Sequence, residues 1–375
     1  MNWNFMFTDM VEYDNYFYFF DWSIKCICKV TKEFKSLEIV ARLYSDDNMV
    51  VWDIIHVWDK KFFMVILGES SILSYDIEKK DFIIHKNPYQ DKTAKHKNFG
   101  SYYKGVRLND TNILLISQDI SKDCYIFDMS DASFSIQKPI ADCMDLNENI
   151  LSVPRFFINK NQICLPIRCT NKFILYDIDT CNKEVHKLSD DIKLISGVYH
   201  KDKIYFILYD KKAIFDYENN EIIYLDEEDY IFEAPFSRGV SIDNYIILLP
   251  SKENHIYIYD TETKNINKIK VADEVGKKGD ISLVINYFIF NNKLELLPTR
   301  LWNIAELTVP DFKLNFVELD LSFSQHIELF SVSFCKETDE CNLEEFLKGI
   351  IKVKNKNAND YNEKSVGMKI YNYLK

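Results

Sequence analysis

The sequence predicts an all-β fold, a β-propeller of seven four-stranded blades followed by a short helical C-terminal tail. Two observations carry that expectation. The first is a phrase, an apolar strand closing on an aromatic residue and Asp. It recurs as Ile72-Leu-Ser-Tyr-Asp76, Cys124-Tyr-Ile-Phe-Asp128, Phe173-Ile-Leu-Tyr-Asp177, Ala213-Ile-Phe-Asp216 and Ile256-Tyr-Ile-Tyr-Asp260. Intervals of roughly 40–50 residues match the period of one four-stranded blade. The second is composition: of 375 residues, 47% are hydrophobic and 15% aromatic, with 27 Phe and 23 Tyr. That excess favours strands, supplies a large core and excludes disorder.

Counting strands a to d from the centre outward, the phrase marks the end of strand c. Blade 1 covers residues 5–43, with Asp14-Asn15 turning between strands a and b and Cys28-Lys29 replacing the aromatic–Asp pair. Blades 2 to 5 cover 50–87, 101–140, 153–188 and 194–225. Blade 6 is the clearest: strand a at 236–242, a turn at Asp243-Asn244, then strands at 245–249, 255–259 and 266–271. Asp and Asn suit such tight turns because both tolerate left-handed backbone angles. Blade 7, at 281–321, carries Ala305-Glu306 where the pair should stand. The end units match the template least, so the pattern is compatible with six to eight blades. Seven close a ring without exposed sheet edges at its centre. The repeated Asp is expected to hold the c–d turn by accepting backbone N–H bonds, not to act chemically.

The propeller is expected to span 1–323 and a separate segment 324–375. In the latter, 327–334 reads as a strand, and Asn342 with Glu345 reads as a capping box opening an amphipathic helix. Its apolar face carries Leu343, Phe346, Leu347, Ile350 and Ile351; a polar linker at 352–362 leads to a last short helix with Val366, Ile370, Tyr373 and Leu374. Such pieces dock on their own domain or recruit a partner.

The phrase and its spacing resemble the kelch/galactose-oxidase-like and YVTN-type seven-bladed propellers over residues 5–323. The chain departs from kelch blades in having no Gly-Gly pair after strand b, and only nine glycines in all. Trp52-Asp53 and Trp58-Asp59 stand in a first strand and its turn, not where WD40 blades place that dipeptide. The resemblance therefore implies a fold, and no catalytic residues carry over.

A net charge of −12 argues against nucleic acid as the partner, since phosphate contacts need clustered Lys and Arg. No apolar run approaches the length of a membrane span and no secretion signal is visible, so a soluble cytoplasmic protein is expected. Nine cysteines at irregular spacing read as free thiols. Cys26 and Cys28, or Cys335 and Cys341, lack the further ligands a structural zinc requires, and no phosphate loop or hydrolase motif occurs. No cofactor or metal is expected.

Candidate binding residues come from the a-strands, which flank the channel. Aligned on the turn that follows, they place Asp9, Asp53, Lys104, Arg155, Ser196, Arg238 and Asn286 at one equivalent position, all polar. A hydrated channel asks for polar groups with or without a ligand. Arginine sharpens the reading: six arginines stand against forty lysines, and Arg42, Arg155, Arg168, Arg238 and Arg300 fall on the face of the d–a and b–c loops. Their planar forks bind carboxylate or phosphate bidentately. The long loops 88–100, 141–152 and 273–280 share that face; the first sets Lys92, Lys95, His96 and Lys97 beside Phe99, Tyr102 and Tyr103.

Three functions fit. One is a non-catalytic propeller that binds an anionic small molecule, an acidic glycan or a protein partner. Another is an enzyme acting on an anionic sugar or related metabolite, with Asp9 and Asp53 as acid/base groups. The third is a scaffold that recruits a partner through its C-terminal helices.

Overall fold

A computed structural model describes residues 10–21, 25–34, 36–43, 50–51, 55–67, 71–89, 102–117, 123–137, 156–159, 161–226, 233–251, 253–271, 284–291, 293–298 and 303–318. Among the described residues, twenty-nine strands form seven antiparallel sheets, each from one contiguous stretch of chain. The protein is a seven-bladed propeller. Six sheets are plain four-stranded meanders. In blade 2 the innermost strand is split into Val50–Val51 and His56–Trp58, both paired with Lys61–Leu67. Blade 1 holds four strands of its own, from Val11–Tyr13 to Leu37–Arg42. The 324–375 segment, with its expected strand and helices, lies outside the described residues. Among the described residues no helix is long and apolar enough to cross a membrane.

Turn chemistry follows the sequence closely. Asp14 and Asn15 take φ of 48° and 65°, and Lys201 and Asp202, which the sequence reading did not single out as a turn, take 49° and 62°; in the Asp243-Asn244 turn only Asp243 is left-handed, at 51°. Paired positive angles give a two-residue turn whose twist matches the strands it joins. At the c–d turns each repeated Asp does what its position predicts. Asp76 Oδ1 accepts from the N–H groups of Glu78 and Lys79 at 3.1 and 3.0 Å. Asp128 accepts from Ser130, Asp177 from Thr180, Asp216 from Asn219, and Asp260 from Glu262 and Thr263.

The core lies between blades. Side chains alternate across a strand, so the third and fifth residues of strand b face the next blade while the second and fourth face the previous one. Tyr205 and Ile207 of blade 5 thus pack on Ile246 and Leu248 of blade 6. Ile247 and Leu249 of blade 6 pack in turn on Leu294 and Leu296 of blade 7. The same pattern recurs between blades 1 and 2, 2 and 3, 3 and 4, and 4 and 5. Strands b and c are covered on both faces, which is why they read as near-continuous apolar runs. Each large side chain buried this way contributes about 1.5–3 kcal/mol.

Candidate functional site

The inner strands surround a central channel of about 630 Å³. Its described wall is mostly Val, Ile, Phe and Gly, interrupted by His56, Arg107, Ser196, Tyr199, Arg238, Ser241 and Tyr287. The position picked out from the sequence has a structural signature. Ser196, Arg238 and Asn286 stand four residues before the pair that closes the a–b turn: His200–Lys203, Ile242–Tyr245 and Phe290–Lys293. Lys104 stands four before Leu108, whose N–H bonds the Asn112 carbonyl. In all four blades a bulge comes immediately before this residue. Between Leu194 and Ser196, for example, the inner strand advances two residues while its partner advances one, from Leu208 to Ile207. The same slip occurs before Lys104, Arg238 and Asn286. A bulge bends the strand and re-aims the residue beside it. In blade 6 the extra residue, Ser237, is buried and bonds the Leu249 carbonyl at 3.3 Å.

Of the predicted site residues, Ser196 and Arg238 line the channel together. Lys104 and Asn286 hold the equivalent bulge positions, paired with Ile116 and Leu297. Asp9, Asp53, Arg155 and Arg300 lie outside the described residues. The Trp58–Lys61 pair also puts Asp53 five residues before the turn, one out of step with the others. Arg168 is not among the residues lining the channel; it sits in the blade 4 b–c loop with its guanidinium 5.6 Å from the Tyr209 ring centroid. Of the predicted loops, residues 90–100 of the first and all of 141–152 and 273–280 lie outside the described residues.

Sequence reasoning overlooked the glycines. Lys104-Gly105-Val106, Ser196-Gly197-Val198 and Arg238-Gly239-Val240 repeat one tripeptide pattern and use three of the nine glycines. A Cβ on Gly105 would lie 3.0 Å from His56 Nε2, and one on Gly197 would lie 2.5 Å from Phe157 Cε1. On Gly239 it would meet Val198 Cγ1 at 3.0 Å. Each glycine therefore lets the inner strand of the preceding blade approach closely, and the ring tightens at the level of the bulge. A repeated polar-Gly-Val was the available signal.

Two further wall residues are committed to structure. Arg107 donates to the carbonyls of Asn109 at 2.8 Å and Val57 at 2.7 Å, and also to that of Asp110, so it ties the blade 3 turn to blade 2. Tyr199 donates its hydroxyl to Gln162 Oε1 at 2.8 Å. Burial, assisted by nearby Cys164 and Glu218, pushes its phenol well up, so it stays neutral. His200, packed behind the wall, is held below the usual histidine range by burial and by Lys201 and Lys203. It bridges Ser241 and Thr261 at 2.9 and 3.0 Å. Among the described residues, no group of three or more His, Cys, Asp or Glu could hold a metal.

The architecture and channel define a class, the seven-bladed β-propellers. A solved streptogramin B lyase is similar in fold at 13% identity and TM-score 0.56, covering 84% of this chain and 95% of its own. Virginiamycin B lyase from Staphylococcus aureus is similar at 9% identity and TM-score 0.55, covering 80% and 94%. YCF48 bound to D1 peptide is similar at 10% identity and TM-score 0.56, covering 79% and 91%. No protein-family profile and no curated sequence matches the chain. At these identities the likeness is one of fold, and it singles out no particular propeller family.

Proposed function

We propose that the protein is a non-catalytic binding propeller whose central channel receives an anionic group, carboxylate or phosphate, carried by a small molecule or an acidic glycan. One observation carries this reading. In a chain of net charge −12 the described channel wall contains Arg107 and Arg238 and no Asp or Glu. Low-dielectric walls focus the field of these cations on the channel. Arg238 stands at a bulge that turns it toward the axis, and its planar fork suits a carboxylate or phosphate better than lysine does.

Thermal shift at low salt with glucuronate, glucose 6-phosphate and citrate tests the reading. At least one is expected to raise the melting temperature by mass action. The shift should shrink with added salt, weaken in Arg238→Lys and vanish in Arg238→Ala. A panel without any shift, or an Arg238→Ala variant that responds like wild type, defeats it.

An acidic peptide is the second reading. The same wall carries Ile158 and Ile289, 43% and 50% exposed, at its a–b turn end. A peptide supplies apolar side chains for these as well as a carboxylate for Arg238. YCF48, similar in fold, has been solved with a peptide.

A further inference from the structure

The seam between blades 7 and 1 breaks a rule that the other six blade contacts keep. At the third position of strand b, blades 1 to 6 carry Tyr18, Phe63, Leu114, Cys164, Tyr205 and Ile247, each buried in the cluster shared with the next blade. Blade 7 places Glu295 there. It is 2% exposed, and its buried Oε2 has no hydrogen-bond partner among the described residues. Burying a carboxylate without a partner is costly, so this residue calls for an explanation.

A cavity of about 460 Å³ adjoins it on the face of the a–b and c–d turns, opposite the arginine-bearing loops. Blade 1 contributes Lys32, Glu33 and Phe34, and blade 7 contributes Phe290, Lys293 and Glu306 beside Glu295. Both ammonium groups are already engaged: Lys32 with Glu12, and Lys293 with Glu306 at 2.8 Å. Glu306 stands directly across from Glu295 in the strand register, so it adds repulsion and no compensation. Among the described residues, Glu295 has no partner cation. The aromatic wall accepts ammonium groups, since Lys32 Nζ lies 5.6 Å from the Phe290 ring centroid.

We propose that this seam cavity binds the ammonium end of an alkylamine, with Glu295 accepting its hydrogen bond and Phe34 and Phe290 covering the methylene chain. A divalent metal fits less well, because no group of three or more His, Cys, Asp or Glu is placed to hold one among the described residues. Burial, then the charge of Glu306, raises the Glu295 carboxyl to about 7 against the pull of Lys293. An arriving ammonium must therefore displace a proton below that pH, and affinity rises as pH climbs through 7.

Titration calorimetry with 1,4-diaminobutane and with Nα-acetyl-lysine amide, at low salt, tests the site and separates a free diamine from a lysine side chain. Saturable binding of either probe at pH 8 is expected. It should fall about tenfold or more at pH 5.5 and in the near-isosteric Glu295→Gln variant, as expected when the anionic partner is lost. The pH arm uses the unmodified protein and does not depend on how the variant folds. No binding of either probe at pH 8, or Glu295→Gln binding as wild type does, overturns the proposal.

Discussion

Lys212 and Glu253 form an ion pair at 2.8 Å with their side chains only 5% and 9% exposed, linking the b–c loop of blade 5 to that of blade 6. Asp226 extends the pair into a network. It lies 3.7 Å from Lys212 and accepts from Lys268 Nζ at 2.8 Å and from the Tyr257 hydroxyl at 2.7 Å. Glu253 also bonds His255 Nδ1 at 2.9 Å. The bonds from Lys268 and Tyr257 hold the Asp226 carboxyl far below the usual range. For Glu253 burial raises the carboxyl, but the bonds from Lys212, His255 and the Asn254 N–H together outweigh it, and the net shift is downward.

Lys212→Met is therefore expected to destabilise the fold by about 3–5 kcal/mol, because it strands a buried carboxylate. Adding Glu253→Gln should recover part of the loss, a coupling that urea denaturation of the double-mutant cycle measures. Both carboxylates have folded values below their unfolded ones. Their stabilisation is present above pH 3.8–4.5 and is lost as pH falls through the folded values. The gap between wild type and Lys212→Met should accordingly narrow in acid.

The channel glycines should rank by the room each one lacks. Gly197→Ala brings a Cβ within 2.5 Å of Phe157 and 2.8 Å of the Tyr205 carbonyl, and backbone cannot move aside cheaply. Gly239→Ala meets side chains alone, Val198 at 3.0 Å and Ile207 at 3.4 Å. Overpacking typically costs about 1–3 kcal/mol, so Gly197→Ala belongs at the upper end and Gly239→Ala at the lower. Chemical denaturation of both variants checks the order.

Glu295 sets a pH dependence of the opposite sign. Its folded value, about 7, lies above the ordinary glutamate value of 4.5. The folded state therefore binds more protons between these limits, and stability falls as pH rises from 4.5 to 7. The shift corresponds to about 3 kcal/mol. Glu295→Gln should abolish that decline and gain on wild type as pH rises, which melting curves at pH 5 and pH 8 reveal.

Loss of a turn carboxylate should depend on its burial. Asp216 is 1% exposed and receives both the N–H and the side-chain amide of Asn219. Asp260 is more exposed and receives two backbone N–H groups. Net values of about 0.5–1.5 kcal/mol per bond, with a further cost for buried donors left unpaired, put Asp216→Ala above Asp260→Ala. Unfolding free energies of the two variants decide it.

Much of the blade layout was legible because it is local. The aromatic–Asp phrase marks the end of strand c in blades 2 to 6, and Asp14-Asn15 turns where its chemistry says it should. Counting back from a turn located the strand a position in the blades where it is described, at Lys104, Ser196, Arg238 and Asn286, and fell one residue out of step at Asp53. What escaped the count is what crosses blades. Gly105 and Gly197 are explained by His56 and Phe157, more than forty residues away in the first case and forty in the second. Glu295 was not singled out in the sequence; it is buried at the seam where blade 7 meets blade 1.

By itself the sequence determined the strand order and the turns of the blades, because each follows from period-2 alternation and short-range turn chemistry. Only the tertiary structure decided which side chains share a space. It brought Ser196 and Arg238 to one channel, left Arg168 stacked on Tyr209, and set Glu295 in a seam with Lys32 and Phe34. The physical reason is ring closure: it joins residues from opposite ends of the chain, and no local rule carries that distance.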